Sequence, residues 1–229
     1  MTTRGPGPIE QHNITVTRTA RFAVIGSLDG RADDVWFVCH GFGQLAVRFI
    51  TRFSALAADT RVIIAPEALS RYYLTAPTSR QAPKSSVGAS WMTAEDREAE
   101  IDDYVAYLDK LYDQVFAAIP RRKAKLTVLG FSQGVATACR WLVAGRAEAD
   151  RVILWAGMLP PELSAEGAAK LAKHEPLTMV VGRSDQFATA DLVAAEEARL
   201  LGLGVPSRTV WFDGGHEVET GALLDLASR

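Results

Sequence analysis

The sequence predicts an α/β fold, with a mostly parallel central sheet and helices on both of its faces. Three observations carry that expectation. From residue 125 onward, short apolar runs alternate with segments of helical period. Strands separated by helices of this length require crossover connections, and so parallel pairing. Runs such as Val35-Trp36-Phe37-Val38-Cys39 are continuously apolar, as strands covered on both faces are. Finally, Gly130-Phe131-Ser132-Gln133-Gly134 sets a serine where the run Leu126–Leu129 meets a helical segment, Val135 to Val143.

The elements follow in order. Residues 1–12 read as a loose tail. Ile14–Thr17 and Phe22–Ile25 alternate as strands and predict an antiparallel pair at a sheet edge. The strand at 35–39 leads to a helix over about 44–58, with Leu45, Phe49, Phe53 and Leu56 at helical spacing. Val62–Ala65 is the next strand, ended by Pro66. Residues 67–93 then form a long irregular insert, and an insert of this length in a compact domain is commonly functional. Thr93 and Asp96 fit the start of a helix that runs to about Ala118, with Glu95, Asp96 and Glu98 suiting its positive end. Pro120 stops it. Beyond it come strand 125–129, helix 133–144, strand 151–155, helix 164–172, strand 177–181, helix 187–201, strand 207–212 and a last helix over 216–228.

No internal repeat or linker interrupts this order, so residues 1–229 are expected to form a single domain. Hydrophobic residues at 48% and charged ones at 23% argue against disorder. A net charge of -2 gives no general attraction to nucleic acid or anionic lipid, so neither is expected as a partner. The basic cluster Arg121-Arg122-Lys123 with Lys125 reads as a solvated loop. No apolar run approaches the roughly 18 residues of a membrane helix. Met1 to Pro8 lacks a secretory h-region, so a cytoplasmic protein is expected. Cys39 and Cys139 are too few for a disulfide scaffold and read as buried thiols. Neither H-E-x-x-H, paired C-x-x-C nor a phosphate-binding G-x-x-x-x-G-K-[ST] occurs, so no metal or cofactor is expected.

The chemistry centres on Ser132. A serine on a sharp strand-to-helix turn has its hydroxyl clear of the sheet, open to both a base and a carbonyl. Of four histidines, only His174 and His216 follow it, as the chain order of this architecture requires. His174 lies before a strand, at the wrong edge of a parallel sheet; His216 lies just after one, where such sites gather. The acid should also follow a strand. Asp185 does, and its competing role is to cap the next helix. Asp213 is the alternative, although its closeness to His216 in one turn suits it better to shaping that turn. The N–H of Gln133 is one expected donor to the oxyanion, and His40-Gly41-Phe42-Gly43 should supply the other. His40 itself reads as a loop-shaping residue.

With these pieces in place, the chain resembles the carboxylesterase/phospholipase family that includes the acyl-protein thioesterases. The resemblance rests on His40–Gly43, Pro66-Glu67, Gly130–Gly134, an Asp after the penultimate strand, and Gly215-His216. It implies an α/β-hydrolase fold and a cofactor-free serine hydrolase acting on small carboxylic esters or thioesters. Carried over by position, it implies Ser132, Asp185 and His216 as triad, and the N–H groups of Phe42 and Gln133 as oxyanion hole. Val135 departs from the family's small residue, and the insert is more similar to a bacterial subgroup of esterases. Tyr72, Tyr73, Trp91 and Met92 of the insert are candidates to line an acyl pocket, or else pack the insert onto the body. A monomer or weak homodimer is expected. The competing accounts are a non-catalytic binding protein on this fold, and an acyltransferase or peptidase using the same triad.

Overall fold

The structure, a computed structural model, describes residues 9–75 and 86–228. The tail expected at 1–12 lies outside these residues up to position 8, as do residues 76–85 of the insert. The strands are β1 (Phe22–Ile25), β2 (Asp34–Cys39), β3 (Arg61–Pro66), β4 (Ser70–Tyr73), β5 (Val87–Ser90), β6 (Lys125–Phe131), β7 (Arg151–Trp155), β8 (Leu177–Gly182) and β9 (Ser207–Phe212). The helices are α1 (Ala46–Phe49), α2 (Arg97–Ala118), α3 (Gln133–Ala144), α4 (Ala165–Leu171), α5 (Ala190–Gly202) and α6 (Thr220–Ala227). Seven strands make one sheet in the order β1-β3-β2-β6-β7-β8-β9. Only β1 runs antiparallel to its neighbour.

Alternation along the buried strands divides the core in two. Val35, Phe37 and Cys39 of β2 face one side of the sheet, with Leu126 and Val128 of β6, and are covered by α2, α3, α4 and α5. Trp36 and Val38 face the other, with Leu129, Ile153 and Trp155, and are covered by α1, a 3₁₀ segment at Ile50–Leu56, and α6. This two-sided cover explains why these strands read as unbroken apolar runs. Among the described residues no helix is long and apolar enough to cross a membrane.

Three expectations are corrected. Residues 14–17 form no strand: Ile14 and Val16 are 86% and 73% exposed, and β1 pairs with β3 instead. Alternation suits a strand, but it provides neither a partner ladder nor a core to face. The insert is not irregular throughout, because β4 and β5 pair as an antiparallel hairpin that touches the body through a bridge from Ala89 to Gln44. Asp96 precedes α2 in a left-handed conformation without a capping bond, and its carboxylate accepts from the Asn13 amide. The Glu100 carboxylate instead reaches back to the Thr93 N–H at 2.5 Å.

Candidate active site

Chain geometry brings the site to the carboxyl edge of the sheet, where ligands of open α/β sheets gather. Ser132 follows β6 directly and opens α3. Its backbone lies at φ 53°, ψ −120°, a conformation that L-residues avoid and that costs on the order of 1–3 kcal/mol. The turn is held from outside: the Ser132 N–H donates to the Trp155 carbonyl at 2.9 Å, and Val135 N–H to the Ser132 carbonyl at 2.9 Å. Gly134 is required by close approach, since a Cβ there would stand 2.2 Å from the Cys39 carbonyl oxygen.

His216 Nε2 lies 3.0 Å from Ser132 Oγ, and its Nδ1 lies 2.9 Å from Asp185 Oδ2. A carboxylate can only accept, so the Nδ1 proton is assigned to this bond and Nε2 is left as an acceptor. The Asp185 side chain is fully buried. Burial pushes its carboxyl up. The N–H of Ala188, the His216 ring and the N–H of Phe187 together outweigh burial and hold it below the ordinary carboxylate range. Its two oxygens divide the work, with Oδ1 accepting from Phe187 (2.8 Å) and Ala188 (3.0 Å) while Oδ2 faces His216. The capping role and the histidine partnership weighed as alternatives therefore coexist, and α5 itself begins only at Ala190. Asp213 points elsewhere; its side chain is 95% exposed and sits 3.4 Å from Arg183. His174 is exposed and precedes β8, at the opposite edge of the sheet.

The loop after β2 abuts the serine. A Cβ on Gly41 would lie 3.1 Å from Ser132 Cβ. Gly41 N–H donates to Gln44 Oε1, and Gly43 N–H to the Ala89 carbonyl. The N–H groups of Phe42 and Gln133 meet no acceptor among the described residues. Gln133, as the first residue of α3, carries one of the helix's unsatisfied donors at its positive end. His40 is buried; its Nδ1–H donates to the Gly41 carbonyl at 2.8 Å and its Nε2 accepts from Ala68 N–H at 3.1 Å. Burial pushes its pKa down, so the ring is a neutral brace for the loop.

The four insert residues proposed for the pocket differ in exposure and in contacts. Trp91 is 2% exposed, packs against Tyr104 and His40, and donates its indole N–H to the His40 carbonyl. It supports the loop from beneath. Met92 accepts through its carbonyl from the Gln133 amide, and its sulfur lies 3.4 Å from Arg140. Neighbouring strand residues point to opposite faces, so Tyr73 is 60% exposed while the Tyr72 ring lies 5.5 Å from that of Phe42. One residue missed by sequence reading is Phe187, 63% exposed, whose ring sits 4.8 Å from that of His216. Its place two residues after Asp185 was the available signal. Both cysteines are buried, and burial pushes the Cys39 thiol up to about 12. A cavity of about 350 Å³ beside α4, lined by Leu142, Val143, Lys170 and Lys173, contains none of these groups.

The sequence from 20 to 223 matches the model of the phospholipase/carboxylesterase family. The chain belongs to that family. Its members are ester-hydrolysing enzymes, and the chain is one of them. Its fold is similar to that of acyl-protein thioesterase 2 from Zea mays, at 18% identity and a TM-score of 0.66, over 92% of this chain and 97% of that one. It is also similar to a phospholipase/carboxylesterase from Dyadobacter fermentans (19% identity, TM-score 0.64, 94% and 98% covered). A Bacillus cereus carboxylesterase matches at 12% identity and TM-score 0.59, over 91% and 92% of the two chains. These likenesses establish the α/β-hydrolase fold. No curated protein sequence matches the chain significantly.

Proposed function

We propose that this family member hydrolyses small carboxylic esters or thioesters through an acyl-enzyme formed on Ser132. The observation that carries the reading is the continuous chain from Ser132 Oγ through His216 to Asp185, at 3.0 and 2.9 Å. Ser132 Oγ attacks the acyl carbon as its proton passes to His216 Nε2. The tetrahedral oxyanion is met by the N–H groups of Phe42 and Gln133. His216 then gives the proton to the departing alcohol or thiol, and the carbonyl re-forms as an acyl ester of Ser132. Water attacks that ester, again losing a proton to His216, which returns it to Ser132 Oγ as the carboxylic acid leaves. Asp185 keeps the histidine in the tautomer this cycle needs.

The exposed rings of Phe42 and Phe187 stand beside the oxyanion loop and the histidine, and suit a substrate with an apolar portion next to its carbonyl. Two free, buried thiols fit the reducing cytoplasm, where we place a monomer or weak homodimer. The test is hydrolysis of p-nitrophenyl esters of graded acyl length, with fluorophosphonate labelling mapped by peptide mass. Protein that neither turns over short esters nor labels at Ser132 overturns the reading.

A further inference from the structure

Trp155, the last residue of β7, joins both halves of the Ser132–His216 pair. Its carbonyl accepts the Ser132 N–H at 2.9 Å, which helps hold the strained serine turn. Its indole Nε1–H donates to the carbonyl of Glu217 at 2.8 Å, one residue beyond His216. The ring is fully buried and packs 5.8 Å from Phe212, which ends β9 and leads into the histidine turn. On the other side of that turn, the N–H and hydroxyl of Ser184 both donate to the Gly214 carbonyl. His216 is thus held between two anchored carbonyls, one pinned from β7 and one from the end of β8. Apart from the direct His216–Ser132 contact, Trp155 links the serine and histidine turns through hydrogen bonds of its own to each.

We propose that Trp155 is a positioning residue for catalysis, whose indole N–H sets the distance of His216 from Ser132. The inference rests on the reading of these two residues as base and nucleophile. Without the N–H, the Glu217 carbonyl loses its indole donor and the turn relaxes toward water. A displacement of the histidine by a fraction of an ångström to about 1 Å is enough to cost up to about a hundredfold in rate.

The test compares wild type with Trp155→Phe, and with 3-benzothienylalanine incorporated at 155, which keeps the bicyclic shape and lacks the N–H. The second variant keeps the inference testable if phenylalanine impairs folding. Rates of p-nitrophenyl ester hydrolysis are expressed per folded protein, quantified by far-UV circular dichroism and size-exclusion chromatography, so that misfolded protein does not count. Both variants are expected to lose roughly 10- to 100-fold in kcat with KM changed less than about twofold. In a His216→Ala background the same changes at 155 should have no further effect, because the indole acts through the histidine. Full kcat in the benzothienyl variant overturns the inference, as does an equal loss with and without His216. If His216→Ala itself retains wild-type activity, the reading of the histidine as base fails instead.

Discussion

Asp185→Asn separates the two roles that one carboxylate performs. In the native site Oδ1 accepts from two backbone N–H groups, at 2.8 and 3.0 Å, and Oδ2 accepts from His216 Nδ1 at 2.9 Å. An asparagine must keep its oxygen toward Phe187 and Ala188, since the flipped amide would point two donors at two donors. Its NH₂ group then faces His216. The imidazole responds by moving its proton to Nε2, which now donates toward Ser132 Oγ across 3.0 Å instead of accepting from it. The base is lost while the geometry stays. Loss of the correct tautomer in a serine triad costs about 10⁴ in kcat, equivalent to roughly 5.4 kcal/mol of barrier. Stability should fall by only about 1 kcal/mol, the charge-assisted part of the retained bonds.

The sign of the pH dependence is fixed as well. Asp185 is held below its ordinary range, so its contribution is complete above the unfolded carboxylate value and is lost as pH falls through the lower folded one. The stabilities of wild type and Asp185→Asn should therefore converge on acidification below about pH 4. Turnover of a p-nitrophenyl ester per titrated site, with urea unfolding at several pH values, measures both effects. Asp213→Asn is the control, with activity within about twofold of wild type, since that side chain is almost fully exposed. More than a tenth of wild-type kcat in Asp185→Asn, or a larger loss in Asp213→Asn, refutes the assignment.

Ser132→Ala should lower kcat by about 10⁶ with little change in melting temperature. Ser132→Gly should be equally inactive yet more stable, because glycine tolerates φ 53°. Relief of strain less glycine's entropy amounts to about 1 kcal/mol, or roughly 2–4 °C by calorimetry. His40, buried with its pKa pushed down, binds fewer protons folded than unfolded, so stability should fall as pH drops below its unfolded value of about 6.5. The slope from this group is at most about 1.4 kcal/mol per pH unit, and His40→Gln should remove it from urea midpoints measured between pH 7.5 and 5.

What could be read from the sequence follows from what each element packs against. The strands at 151–155 and 207–212 match the expected bounds, the first being buried along its whole length. Helices begin later than their sequence signals where side chains cap turns ahead of them. Asp185 binds the N–H groups of Phe187 and Ala188 before α5 begins, and Glu219 caps α6 through the N–H groups of Gly221 and Ala222. The helix expected over 44–58 shortens to α1 and the 3₁₀ turns that follow it, yet it buries Phe49, Phe53 and Leu56 as its spacing required. Chain order and sheet edge selected His216 and favoured Asp185, because these are topological constraints. The hairpin at 70–90 escaped notice because β4 and β5 (Ser-Arg-Tyr-Tyr and Val-Gly-Ala-Ser) are short and weakly patterned.

That hairpin changes how the insert relates to the site. The sequence leaves its aromatic residues either to line an acyl pocket or to pack the insert onto the body. Its hydrogen bonds run to the loop that carries the Phe42 N–H. Gly43 N–H donates to the Ala89 carbonyl, Ala89 N–H returns a bond to Gln44, and the Trp91 indole holds the His40 carbonyl. Gln133 completes the link from α3: its side-chain oxygen accepts from Trp91 N–H, and its amide donates to Ser90 Oγ and to the Met92 carbonyl. The N–H groups of Phe42 and Gln133, unpartnered among the described residues, are thus fixed relative to each other through the hairpin. Donors that must not reorient during reaction need such a frame, because a donor that moves to meet the oxyanion gives back in reorganisation what it contributes in charge stabilisation. Damage to the hairpin core should therefore be felt first in turnover, and substrate preference should lie with the exposed rings of Phe42 and Phe187.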